Sequence, residues 1–177
     1  MSTLRVNTIN DLSGSGSSIT SSNLKTNTIQ NSSGTTALNI DSIGRVTMPN
    51  NPLFHAADGP AQTGVEQVVQ FTTVYANNGS CYNTANYRFT APATGYYFFA
   101  FGAMAGGATY NRFGLYKNGA LYDGQKFAAN QTYERFSASW VVSLIANDYV
   151  TIVSGITGAS EISIHVNYRE FCGFLLS

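Results

Sequence analysis

Gly95-Tyr96-Tyr97-Phe98-Phe99-Ala100-Phe101 decides how this chain folds. Side chains along a strand alternate between faces, so Tyr97, Phe99 and Phe101 point one way and Tyr96, Phe98 and Ala100 the other. Neither set is polar. The closing segment Phe171-Cys172-Gly173-Phe174-Leu175-Leu176 repeats the situation, with Phe171 and Leu175 on one side and Cys172, Phe174 and Leu176 on the other. Residues 161–169 differ: Ile162, Ile164, Val166 and Tyr168 alternate with Ser163, His165, Asn167 and Arg169, the pattern of a half-buried sandwich strand.

A two-layer sandwich covers one face of each sheet, so the doubly apolar strands need a second cover. Loops of the same chain are one source and a neighbouring subunit is the other. At about 1.5–3 kcal/mol per buried aromatic, three or four of them add on the order of 5–10 kcal/mol per subunit before association costs. That predicts an obligate oligomer, with Tyr96, Tyr97, Phe98, Phe99, Phe101, Phe171, Phe174 and Leu176 as its core and interface. Alternation alone leaves open which face meets the neighbour.

Outward from these segments, strand patterns fill the chain from Phe54 on and no helix is expected. They fall at residues 71–75, 87–90, 96–104, 112–117, 120–123, 136–145, 149–153, 162–168 and 171–176. Asn118-Gly119 between Leu-Tyr-Lys and Ala-Leu-Tyr predicts a type I′ hairpin turn, which needs positive φ at both positions. Many short strands at near-even spacing make the chain all-β, a sandwich or jelly roll.

The N-terminal part reads differently. Residues 4–14, LRVNTINDLSG, recur at 24–34 as LKTNTIQNSSG. Residues 37–48, ALNIDSIGRVTM, place Leu38 and Ile40, then Val46 and Met48 beyond an Ile43-Gly44 turn, as a short hairpin. So few apolar side chains cannot offset roughly 1–2 kcal/mol of backbone entropy per ordered residue in a lone chain. The segment is expected either to order against copies of itself or to remain a tail without fixed structure. Pro49 and Pro52 mark its end, dividing the chain into a stalk or attachment segment, 1–50, and a head, 51–177.

Composition excludes several classes of function. Nine Lys and Arg balance nine Asp and Glu, so no basic field gathers phosphates, and nucleic acid is not an expected partner. No apolar run reaches the roughly 18 residues of a membrane span, and no signal-peptide h-region appears at the start, so the chain is expected to be made in a cytoplasm without membrane insertion. Cys81 and Cys172 lack metal-type spacing, and His55 and His165 lie far apart, so neither metal nor cofactor is expected. Residues 119–126 resemble a phosphate loop only superficially, with Phe127 where Ser or Thr belongs. Carboxylates beyond residue 70 are scattered singly, which gives catalysis no support; Asp123 and Asp148 are the ones weighed, and set aside, as calcium ligands. The Asn-, Gly- and Tyr-rich stretches 76–86, 106–111 and 128–133 read as exposed loops, with Asn77, Asn78, Tyr82, Tyr110 and Tyr133 as candidate recognition residues, or as merely solvated connections.

Phe71, Asn77, Tyr82, Phe89, Gly95, Tyr97, Phe99 and Phe101 stand at the spacing of the C1q-like domain, and the chain resembles that family over about 52–177. FCGFLL is similar to the family's closing FSGFLL, with Cys172 where Ser is usual. The resemblance implies a ten-stranded jelly roll of the tumour-necrosis-factor type, a homotrimer, and binding or scaffolding without catalysis. Collagen-like Gly-X-Y repeats, which precede the animal members, are missing. LRVNTI and GRVTMPNNPLF instead resemble the repeats that lead into the heads of tailed-phage fibre and virion proteins. That implies a virion location, as a short fibre or a capsid decoration, with the N-terminal segment on other virion proteins and the head toward a host-surface glycan or protein. The alternative is a bacterial lectin or adhesin outside any particle.

Overall fold

The computed structural model describes residues 26–106, 110–128, 134–155 and 162–177, and divides the chain into two compact units, Met1–Pro49 and Asn50–Ser177. The first copy of the N-terminal repeat lies outside the described residues, as do Tyr133 and most of the 128–133 loop. No helix occurs among the described residues.

In the first unit, β1 (Thr28–Gln30), β2 (Thr36–Ile40) and β3 (Val46–Thr47) form an antiparallel three-stranded sheet. The second repeat copy therefore pairs with the hairpin that follows it in its own chain. Both turns have one construction. Asn31 Oδ1 accepts the amides of Ser33 and Thr35, and Asp41 Oδ1 accepts those of Ile43 and Arg45. Gly34 and Gly44 then donate back to the carbonyls of Asn31 and Asp41 at positive φ. Register pairs Ile29 with Leu38 and Ile40 with Val46, which puts all four on one face. None of residues 26–50 is buried, so among the described residues this sheet has an apolar face and no core.

The second unit is a sandwich of two six-stranded sheets among the described residues. One contains β13 (Glu134–Leu144), β10 (Gly95–Gly106), β15 (Ile162–Leu175), β4 (Leu53–Ala57) and β7 (Thr73–Asn78) in that order, with β5 (Gln62–Gly64) paired to β15. The other contains β12 (Ala120–Ala128), β11 (Tyr110–Lys117), β14 (Tyr149–Ser154), β9 (Arg88–Thr90) and β8 (Tyr82–Asn83), with β6 (Gln67–Val68) paired to β14. Against the strands read from the sequence, the structure adds β4 and the two- or three-residue pairings β5, β6 and β8, which are too short to show periodicity, and joins residues 162–168 and 171–176 into β15. The Asn118-Gly119 turn is as expected, with φ of 52° and 82°.

Between the sheets lies an aromatic core. Phe54 stacks on Tyr82 at 4.9 Å and meets the edge of Phe171 at 4.9 Å, while Phe89 meets Phe99 at 5.2 Å. Phe113 and Leu115 from β11 and Val150 and Ile152 from β14 close it from the second sheet, all fully buried.

The alternation read over 161–169 fails at its end. Segments 162–168 and 171–176 are one strand, β15, carrying a bulge: Ala103 of β10 faces Arg169, but Ala105 faces Ile164. Asn167, at φ 60°, absorbs the extra residues and inverts the alternation. Tyr168, expected inside, is therefore 50% exposed, and Arg169, expected in water, is 3% exposed.

Candidate functional site

The doubly apolar strands sit side by side. β10 pairs with β13 on one edge and β15 on the other, and β15 pairs in turn with β4. Tyr97, Phe99, Phe101 and Phe171 face the second sheet and are buried to 2% exposure or less, so they are core of a single subunit and not a face toward another. Register then fixes the outer face. Val141, Phe98, Phe174 and Leu53 are successive cross-strand partners and make one continuous row across four strands. The rings of Phe98 and Phe174 lie 5.4 Å apart. Tyr96 and Leu176 extend the patch, joined by the bond from the Leu176 amide to the Tyr96 carbonyl.

This patch is dry chemistry in a wet place. Val141 is 55% exposed, Phe174 41% and Leu53 37%, with no cover from the described residues of the chain. An apolar band this continuous on a β-sheet is the mark of an interaction surface. Its neighbour row, Ser139, Ala100, Cys172 and His55, has small side chains at its centre, which lets another surface approach closely. Farther along, the Arg135 guanidinium pairs with the Glu170 carboxylate, so the face runs from apolar to charged. Burial, and then the nearby Glu170, push the Cys172 thiol up, so it is no reactive nucleophile. Of the residues in this patch, the sequence reading names Tyr96, Phe98, Phe174 and Leu176 and does not name Val141 and Leu53. Val141 was legible as the one apolar residue among Ser137, Ser139 and Ser143 on its side of β13.

Of the candidate recognition residues, Tyr82 is placed otherwise than expected. Tyr82 is 4% exposed, its ring in the core and its hydroxyl donating to the Phe71 carbonyl at 3.3 Å. Asn77 and Asn78 lie in β7. The Asn77 amide closes the turn by bonding both backbone groups of Tyr82, at 2.9 and 2.8 Å, and Asn78 Nδ2 donates to the Asn51 carbonyl. These amides satisfy buried or half-buried backbone. Tyr110 belongs to β11, and Tyr133 is outside the described residues.

Asp123 and Asp148 are likewise engaged within the chain. Asp123 Oδ2 accepts from Trp140 Nε1 at 2.8 Å and from Gln125 at 2.9 Å. Asp148 accepts from Asn118 Nδ2 and the Ile145 amide and pairs with Lys117 at 2.9 Å. Those bonds, the Asn118 one first, hold its carboxyl down at about 2. Among the described residues no three His, Cys, Asp or Glu side chains converge as metal ligands.

The chain's sequence matches the family model of the C1q domain over residues 54–176. Among solved structures it is similar to the globular domain of zebrafish complement 1qA protein, at 20% identity and a TM-score of 0.57, covering 71% of this chain and 98% of that one. The TNF Eiger of S. frugiperda is similar at 9% identity and a TM-score of 0.56, covering 72% and 94%, and murine APRIL at 10% and 0.55, covering 71% and 99%. No curated protein matches in sequence.

Proposed function

The chain belongs to the C1q domain family over residues 54–176, and we propose that it is a non-enzymatic homotrimeric structural and binding protein of a bacteriophage particle. Domains of this family are generally non-enzymatic binding modules and usually self-associate as trimers. The observation that carries the reading is the row Val141, Phe98, Phe174 and Leu53, an exposed apolar band on the outer face of one sheet. Three copies packing this face together supply the cover that one chain lacks.

The first unit supports the same arrangement. Its apolar face, with Ile29 and Val46 exposed and Leu38 and Ile40 half-buried among the described residues, suits packing against the same face of two other copies. Asn/Thr-rich repeats leading through GRVTMPNNPLF into a globular head support a virion role. The N-terminal unit attaches the trimer to other particle proteins, and the head carries the binding surface toward the host.

Two measurements test this. Multi-angle light scattering of the purified chain is expected to give three times the mass of 19.0 kDa. Electron microscopy of phage particles labelled on this protein is expected to show it on the tail, as a fibre, or on the capsid, as a decoration. Its absence from purified particles overturns the virion reading.

A further inference from the structure

On the sheet opposite the apolar row, five polar side chains converge on a cleft of about 290 Å³ without spending their hydrogen bonds on the protein. Leu115, Val150, Ile152 and Phe89 point into the core, so their strand neighbours Tyr116, Tyr149, Thr151 and Arg88 point out. Tyr116 and Thr151 are direct partners across β11 and β14. β9 pairs with β14 at Tyr149 and Val150, and β6 pairs with it at Val153 and Ser154, so Arg88 and Glu66 enter the cleft from the two ends of β14. The Arg88 guanidinium lies 4.1 Å above the Tyr149 ring.

Thr151 is only 4% exposed, yet it lines the cleft and its hydroxyl has no hydrogen-bond partner among the described residues. The same holds for the Tyr116 and Tyr149 hydroxyls, and neither Glu66 nor Arg88 has an ion-pair partner among them. Thr151 is buried, Arg88, Tyr116 and Tyr149 are half-buried and Glu66 is exposed, so polar groups left open together line a cleft that a ligand can reach. Val68 and Val153 add apolar wall between them.

We infer that this cleft binds one ring of a neutral saccharide. One carboxylate and one guanidinium cancel, which disfavours a ligand of either sign. Between them stand an acceptor, a fork of donors and three hydroxyls that both donate and accept, the complement of a ring bearing several hydroxyl groups. The volume is at the small end of ligand pockets, which run from about 300 Å³ upward, and suits a single ring. The cleft is on the face away from the proposed threefold contact, so a trimer presents three of them and gains avidity on a repeating glycan. This ligand class rests on reading the head as a binding module.

The test is saturation-transfer NMR of the full chain with glucose, galactose, mannose, N-acetylglucosamine and short oligomers of them, alongside N-acetylneuraminic acid and inorganic phosphate. Transfer to at least one neutral sugar is expected, with affinity reduced about tenfold by Thr151→Val and by Arg88→Met. Thr151→Val keeps shape and strand preference, so the fold survives it. Transfer to the charged compounds alone, to none of the panel, or undiminished in both variants overturns the inference. Light scattering on the same samples separates the two readings. Trimers that bind no sugar overturn only the saccharide site, and sugar-binding monomers overturn only the trimer.

Discussion

Arg169 shows what a single residue does when the pattern around it is broken. Turned inward by the bulge at Asn167, its guanidinium donates to Gln62 Oε1 at 2.6 Å and to the carbonyls of Gln70, Gly59 and Pro60, which fixes the segment from 59 to 62 onto β15. A lysine has no planar fork to reach several acceptors at once. Arg169→Lys is therefore expected to lower unfolding stability by roughly 2–4 kcal/mol in urea titration, although the charge is kept. An unchanged midpoint removes the role. Asp148 gives a second residue-scale expectation. Its folded value of about 2 lies below the ordinary 3.8, so its contribution is fully present above about pH 4 and is lost as pH falls through about 2. Asp148→Asn should be less stable at neutral pH, and its midpoint should decline less between about pH 4 and pH 2 than that of the native chain. Parallel declines in the two proteins would show that Asp148 is not the group responsible.

At the scale of elements, β10 was legible as a strand with no wet side, because all six residues from Tyr96 to Phe101 alternate without a polar break. Which side turns inward was not legible, since that depends on where the second sheet lies. β15 was half legible: its ends read as strands, but the Asn167 bulge has no signature beyond an Asn able to take positive φ. Tyr82 was misread because its neighbours Asn77, Asn78, Asn83 and Asn86 make the segment look like a solvated loop. Its place among the regularly spaced aromatics was the better signal. Gly173 tests the packing between the two decisive strands. A Cβ there would press on the Phe99 ring and come 2.8 Å from the Phe98 carbonyl oxygen, both rigidly held. Gly173→Ala is expected to cost about 1–3 kcal/mol and to lower Tm by a few degrees in calorimetry. A Tm equal to the native value would mean that β10 and β15 are farther apart than this register requires.

For the whole molecule, the two faces of β10 now have different assignments, and the assignments make opposite demands. Phe99 is fully buried between the sheets and touches Phe54, Phe89 and Phe171, so each subunit needs it in order to fold. Phe174 is 41% exposed and touches Phe98 on the outside, so a subunit folds without it but has nothing apolar to share at the centre of the row. An aspartate in place of either introduces a charge that costs several kcal/mol wherever it is held away from water. In Phe99→Asp that place is the core, and loss of the β-sheet signal in circular dichroism is expected, with aggregation. In Phe174→Asp the charge stays wetted as long as the subunit is alone, so the variant is expected to keep the native β-sheet spectrum while its mass by light scattering falls to that of one chain. If Phe174→Asp instead retains the native mass, the copies meet through some other surface, and the apolar row of β13, β10, β15 and β4 must be covered by something that is not this chain.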